Sequence, residues 1–419
     1  MAIELQANQI SLSDPSFWEM PLEDRDRAFD ILRREKPVSW QESPVAFAPK
    51  NGVRPNGYWA ITRHADIRAI HPNTKVFSAA KGTFLFDNMS MEDEYLAAGM
   101  MGTDAPVHTK LRGLVQATFT PKTISRMRAQ IQRRSLELVA AVSEKGQCDY
   151  KEIVNPLPLM TICDLMGFPE EDHNEVGRLV HLVTGATGPD SFDISLQASR
   201  DLTRYAIDLS RKRAKDPRDD LLTLLVQAEV DGERLTEADL GAMVHLISVA
   251  GADTSAGTLH NALTALDQFP DQRALLLSDF DRYIDTAIEE IVRWASPGAH
   301  LRRTALEDVV IGNQLIKAGE SVVLWFRSGN RDETAFKEPY KFDITRSPNP
   351  HVGFGGGGPH FCLGALLAKL EIKMMLQALL THIPDIHLTT KANWLPTPQY
   401  VLVDGPMPCK FTPKHVDLS

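Results

Sequence analysis

The chain has 419 residues, 43% hydrophobic and 24% charged, with four cysteines and a net charge of −10 from 55 acidic and 45 basic side chains. Those proportions belong to a folded globular protein and exclude a disordered chain, a collagen-like repeat and a small disulfide scaffold. The acidic balance argues against a protein that coats nucleic acid or an anionic membrane.

In chain order, the opening MAIELQANQISLSD has no basic stretch followed by an apolar one, so no signal peptide is expected. No run of about 18 apolar residues occurs, so no membrane span is expected, and a cytoplasmic protein with reduced thiols follows. Gly57 to Thr62 reads as a strand, with a helical pattern from His64. Lys81 to Pro106 reads as a long loop containing Phe84, Leu85, Phe86, Met89, Met100 and Met101. That composition suits a lid over an apolar pocket, although from the loop alone ordinary core filling is the simpler reading. Amphipathic helices are predicted over Lys122 to Ser143, Ser195 to Lys215 and Asp281 to Trp294, with a loop from Thr184 to Asp193. Thr236 to Phe269 is a long helical pattern ended by Pro270, with small residues from Ala250 to Gly257 at its middle. Val309 to Ile311, Ser321 to Phe326 and Tyr400 to Val403 read as strands, and Leu363 to Leu380 as a helix. Length alone suggests two or three domains at roughly 150 residues each, but no linker or repeat divides the chain. The economical reading is one mainly α body with small β-sheets.

Cys148, Cys163, Cys362 and Cys409 form no C-x-x-C pair, which disfavours a zinc knuckle, a thioredoxin-like site and an iron–sulfur cluster. Cys362 is distinctive because six of the 26 glycines lie between Gly353 and Gly364 around it. The helical pattern that follows puts this sulfur at a helix N-terminus, where free amides and the macrodipole favour a thiolate. A nucleophile, a redox thiol and an axial ligand to haem iron all fit a thiolate there. Glycines also let a backbone lie against something broad and flat.

The segment from His351 to Gly364 resembles the haem-binding signature of cytochrome P450, F-x-x-G-x-[HR]-x-C-x-G. Gly358, His360, Cys362 and Gly364 fall in register. Phe354 stands eight residues before the cysteine instead of seven, a spacing similar to a bacterial subset acting on sterols and methyl-branched lipids. The resemblance implies further residues in family order from about Gly57 onward. Ala250 to Thr254, read as A-G-A-D-T, is similar to the oxygen-activating motif, in which Gly251 lies over haem, Asp253 relays protons and Thr254 holds dioxygen by hydrogen bonding. Glu290 and Arg293 match E-x-x-R and are expected to pair structurally with Arg346 of the Phe342 to Arg346 segment. His108 and Arg112 match H-x-x-x-R, and with His360 and Arg303 they are the expected donors to the haem propionates, Arg302 being the rival to Arg303.

The implied protein is a single-domain P450 over residues 1–419, with haem b (iron-protoporphyrin IX) between the long distal helix and the cysteine-bearing proximal helix. The implied reaction inserts one oxygen atom of O2 into a C–H bond of a methyl-branched lipid, terpenoid or steroid. Phe84, Phe86, Met100, Ala250, Leu301, Val401 and Leu402 are the expected pocket walls. No flavin, nicotinamide or iron–sulfur module is visible, so a ferredoxin with its reductase is the expected electron donor. It would dock on a basic face of Lys110, Arg112, Lys122, Arg126, Arg128, Arg133, Arg134, Lys369 and Lys373. A peroxygenase or coupling enzyme, and a non-catalytic haem-based sensor or lipid-binding protein, are the alternatives.

Overall fold

The helix Glu237–Gln268 runs through the middle of the molecule because it is apolar around most of its circumference, so burial is its only stable place. Its start is a capping box: Thr236 Oγ1 accepts from the Asp239 amide at 3.1 Å, and Asp239 accepts from the Thr236 amide at 3.0 Å. It ends at Phe269, before Pro270. The computed structural model describes residues 6–42, 57–84, 91–186 and 190–418. Helices Met91–Ala98, Pro156–Met166, Ser191–Lys215, Phe280–Ala295 and Ala365–His382 pack on the central one. Pro121–Ser143 lies along Ala365–His382.

These helices lie where periodicity placed them, with ends displaced by up to a turn. Ser191–Lys215 begins four residues before the predicted Ser195, and Ala365–His382 begins two after the predicted Leu363. The predicted loop from Lys81 to Pro106 is corrected: it contains the helix Met91–Ala98 and a 3-10 turn at Gly99–Gly102. Phe86, Leu85 and Met89 lie outside the described residues. The second predicted loop is also shorter, because the helix His173–Gly185 takes its first two residues and Ser191–Lys215 its last three.

A five-stranded sheet has the order Val38–Gln41, Tyr58–Ile61, Ser321–Trp325, His300–Ala305, Phe77–Ser78. Tyr58–Ile61 pairs in parallel with Ser321–Trp325, and His300–Ala305 pairs antiparallel with it, placing Arg303 opposite Val322. The predicted strand from Tyr400 to Val403 is corrected: only Val403–Asp404 pairs, with Asn393–Trp394, while Tyr400 makes a lone bridge to Gly298. Pro396, Pro398 and Pro406 remove the amides that a longer ladder would need. Among the described residues no helix is long and apolar enough to cross a membrane.

The helix Phe280–Ala295 carries a buried ionic knot. Glu290 and Arg293 are both 0% exposed and bond in parallel, Nε to Oε2 at 2.7 Å and Nη2 to Oε1 at 2.8 Å. Arg293 also donates to the carbonyls of Asn330 (2.7 Å) and Pro339 (2.9 Å). Glu290 accepts from Arg346 Nε at 3.1 Å and from the amide of Asp343 at 2.8 Å. Every donor and acceptor that burial strips of water is thereby met, the condition for tolerating a dry ion pair. Glu290→Ala strands the Arg293 charge and is expected to lower stability by about 3–5 kcal/mol in chemical denaturation. Glu137→Ala, which breaks an exposed pair with Arg133, should leave the midpoint almost unmoved.

Candidate functional site

The glycine run from Gly353 turns the chain into the cysteine helix, and close approach to a protein corner explains its composition. Gly355 (φ +93°) and Gly358 (φ +76°) occupy left-handed backbone. A Cβ on Gly355 would stand 2.9 Å from the His71 ring, and one on Gly358 would stand 2.5 Å from Pro72 Cα. These glycines therefore clear room for the end of the helix His64–Ile70 rather than for a flat partner, whereas Gly364 has open space where its side chain would be. The Cys362 amide donates to Phe354 O at 3.0 Å, closing the turn. The left-handed glycines absorb the extra residue, and Phe354 keeps its ring near Phe361, with the Lys369 ammonium 5.3 Å from its centroid.

Cys362 opens to a cavity of about 300 Å³ between this turn and the central helix. Surrounding protein pushes its thiol up from the ordinary range, opposed by the Gly364 amide, the Arg112 charge and the Ala365 amide. A bound cation reverses that balance, since coordination deprotonates a thiol outright. Phe84, Met100, Ala250, Gly251, Thr254 and Leu301 line the cavity. Val401 and Leu402 do not: Val401 packs with Leu22 and Ala299, and Leu402 fills the space beside Gly257. The lone Tyr400 bridge turns Gln399 and Tyr400 to the cavity in their place. Gly251 serves packing as well, because a Cβ there would lie 2.4 Å from Ile162 Cδ1.

One edge of the site gathers cations. The His108 and His360 rings lie 4.0 Å apart, and Arg112 Nη2 donates to Phe361 O at 2.8 Å. Arg303 is fully buried, with Nε and Nη2 unpartnered, and burial draws it down to about 10. Burial, then the charge of Arg303, holds His360 at about 2 and His71 at about 4. Among the described residues His360 Nε2 and His71 Nε2 also lack partners. Asp104 is the one acid whose charge reaches Arg303 and His108. The remaining excess of donors is costly unless an anion completes it, and the two carboxylates of haem b suit it. Arg302 is occupied elsewhere, its Nη2 donating to Lys81 O at 2.9 Å. The donor set and the sulfur thus fit haem b.

On the central helix, Thr254 Oγ1 donates back to Ala250 O at 2.5 Å, and the helix continues unbroken through this bond. Asp253 points away from the cavity toward His173–Gly185, where Thr184 donates to its carboxylate and His181 Nδ1 lies 3.9 Å away. Burial pushes Asp253 up from the usual carboxylate range, opposed by Thr184, His181 and Lys151. Sequence reasoning missed Glu371. It lines the cavity wall at 1% exposure, and burial raises it to about 8, opposed by the neighbouring Ser255 and Thr161 hydroxyls. A single acid on the apolar stripe of Leu367, Leu370 and Met374 was the available signal.

The expected basic face is smaller than its sequence count. Lys110 pairs with Asp231, Arg134 with Asp164, Arg133 with Glu137, Lys369 with Glu289 and Lys373 with Asp285. Lys122, Arg126 and Arg128 remain exposed with no ion pair among the described residues, on the helix that packs along the cysteine helix.

Comparison with known proteins agrees with this geometry. Residues 200–383 match the family model described as cytochrome P450. A methyl-branched lipid omega-hydroxylase of Mycobacterium tuberculosis is 39% identical over 393 residues, covering 92% of this chain and 91% of the relative. A steroid C26-monooxygenase of Rhodococcus jostii is 38% identical over 364 residues, covering 85% and 76%. A Mycobacterium marinum cytochrome P450 solved in complex with pseudoionone superposes with a TM-score of 0.92 at 38% identity, covering 98% of this chain and all of that one. With a cysteine turn, a central helix and a cationic edge in one arrangement, and relatives matching over nine-tenths of its length, the chain belongs to the cytochrome P450 family, whose members bind haem b.

Proposed function

We propose that this P450 monooxygenase hydroxylates a C–H bond of a hydrophobic small molecule, with a methyl-branched lipid preferred over a terpenoid or a steroid, using O2 and electrons from a ferredoxin and its reductase. The observation that carries this reading is the apolar cavity bounded by Thr254 on one side and Cys362 on the other. The relatives named for methyl-branched lipids and steroids support the substrate class. The whole chain acts as one cytoplasmic domain in this reading.

Haem b, when bound, supplies the activation of dioxygen that an unactivated C–H bond requires, and a thiolate ligand favours O–O cleavage. Cys362 would be the ligand to the iron, and Arg303, Arg112, His108 and His360 would hold the propionates. Gly251 and Ala250, both small, would leave room in the cavity for the cofactor. Phe84, Met100, Leu301 and Tyr400 exclude water and orient the substrate. Thr254 presents its hydroxyl to the cavity and hands on a proton there. Asp253, one residue earlier and about 100° around the helix, exchanges protons with the outer side through Thr184 and His181. Lys122, Arg126 and Arg128 steer an acidic donor protein toward the cysteine face.

With a ferredoxin and reductase under 18O2, a methyl-branched lipid should yield an alcohol carrying one labelled oxygen; no oxygenated product from any lipid, terpenoid or steroid contradicts the proposal. Thr254→Ala should lower product per electron consumed by roughly a hundredfold, the low end for one positioned proton-transfer group, while substrate still shifts the haem spectrum. Arg126→Glu combined with Arg128→Glu should slow reduction by the ferredoxin roughly tenfold with haem content intact, through lost electrostatic steering. An unchanged reduction rate removes the docking face.

A further inference from the structure

Two cysteines that the haem site does not use face each other across a strand pair. Cys148 lies on Gln147–Asp149 and Cys409 on Pro408–Lys410, and they are direct register partners in an antiparallel ladder. The flanking bonds from Tyr150 N to Met407 O (2.9 Å) and from Phe411 N to Gly146 O (3.0 Å) fix the phase of the ladder. By alternation Cys148 and Cys409 form a hydrogen-bonded pair, with Cα atoms about 5.5 Å apart, inside the span that a disulfide tolerates. Their sulfurs lie 3.5 Å apart, and both are free thiols. Cys148 is half-buried and reachable from solvent, whereas Cys409 is 1% exposed.

We propose that Cys148 and Cys409 are a peroxide-sensitive modification site that closes to a reversible cross-strand disulfide. The Cys148 thiolate attacks one oxygen of hydrogen peroxide; an S–O bond forms, the O–O bond breaks, hydroxide leaves, and Cys148 becomes a sulfenic acid. The Cys409 sulfur then attacks the Cys148 sulfur; the S–S bond forms, the S–O bond breaks, and the departing hydroxide takes the proton from Cys409. Two thiols and one peroxide give one disulfide and two waters, with two electrons passing from sulfur to oxygen.

The order of attack follows from the environment. The hydrogen bond with Cys409 pulls the Cys148 thiol below its ordinary range and pushes its partner up, so the exposed sulfur is also the readier thiolate. Reversibility follows from the ladder. Cβ atoms of such a pair stand about 5 Å apart, wider than the roughly 3.8 Å that a bridge prefers, and a bridge under tension is easily reduced. The bridge would pin the strand Pro408–Lys410, which follows closely in the chain on the cavity-lining Gln399 and Tyr400; the segment between them is held to the other strand's end where the Val403 carbonyl accepts from Lys151 Nζ at 2.8 Å. Cys163 is the internal control: it is fully buried and pushed up to about 12 by burial.

The test is thiol mapping of the haem-loaded protein by peptide mass spectrometry after treatment with hydrogen peroxide, alkylation and digestion without reductant. The expected product is a peptide pair joined through Cys148 and Cys409, two hydrogens lighter than the free thiols and lost on adding dithiothreitol, with Cys163 still alkylated after unfolding. In Cys409→Ser the same treatment should instead leave a sulfenic acid at Cys148 that dimedone traps. If both cysteines in the wild-type protein stay alkylatable, or Cys148 proceeds to the sulfinic acid without bridging, the proposal is overturned. The wild-type mapping decides this even where the variant fails to fold.

Discussion

Everything in this molecule is arranged around the height at which one sulfur atom is held. Cys362 sits in a turn closed by its own amide on Phe354, across the cavity from a helix buried along most of its length. The turn is possible because the backbone at Gly355 and Gly358 enters left-handed space and passes within van der Waals contact of His71 and Pro72. Any side chain there would lift the turn off that corner and carry the sulfur with it. The glycine composition is thus a packing requirement that positions a ligand.

Two electrostatic arrangements of opposite kind support that geometry. The knot of Glu290, Arg293 and Arg346 is internally satisfied, and it fastens the segment before the cysteine turn to the helix Phe280–Ala295. The cluster of Arg303, His360, His108 and His71 is only partly satisfied by protein: among the described residues Arg303 Nε and Nη2, His360 Nε2 and His71 Nε2 have no partner. A closed network of charges gives rigidity, whereas an open one with an excess of one sign calls for a ligand of the other. The same contrast separates Asp253, which faces other protein groups, from Thr254, which faces the cavity.

Much of this was legible in the sequence, for identifiable reasons. The long helices carry apolar stripes with caps and prolines at their ends, so periodicity located them to within a turn. The glycine segment around Cys362 and the paired Glu290 and Arg293 announced themselves through spacing. The strand His300–Ala305 was hidden because Arg302 and Arg303 occupy its middle, and their burial depends on neighbours far away in the chain. Val401 and Leu402 look like pocket residues on composition, but a single bridge at Tyr400 decides which side chains turn inward. The helix Met91–Ala98 was missed because its weak pattern lies inside a run rich in glycine and acid. Glu371 was passed over because an acid within an apolar stripe gains meaning only when Ser255 and Thr161 are seen to meet it.

The central claim is that Cys362 binds haem iron as a thiolate, and its most direct test is the optical spectrum of the reduced, haem-loaded protein under carbon monoxide. The account predicts a Soret band displaced strongly to the red, as electron-rich thiolate ligation requires, and its loss in Cys362→Ala. A band at the position given by histidine ligation, or a red-shifted band that survives the substitution, would contradict it.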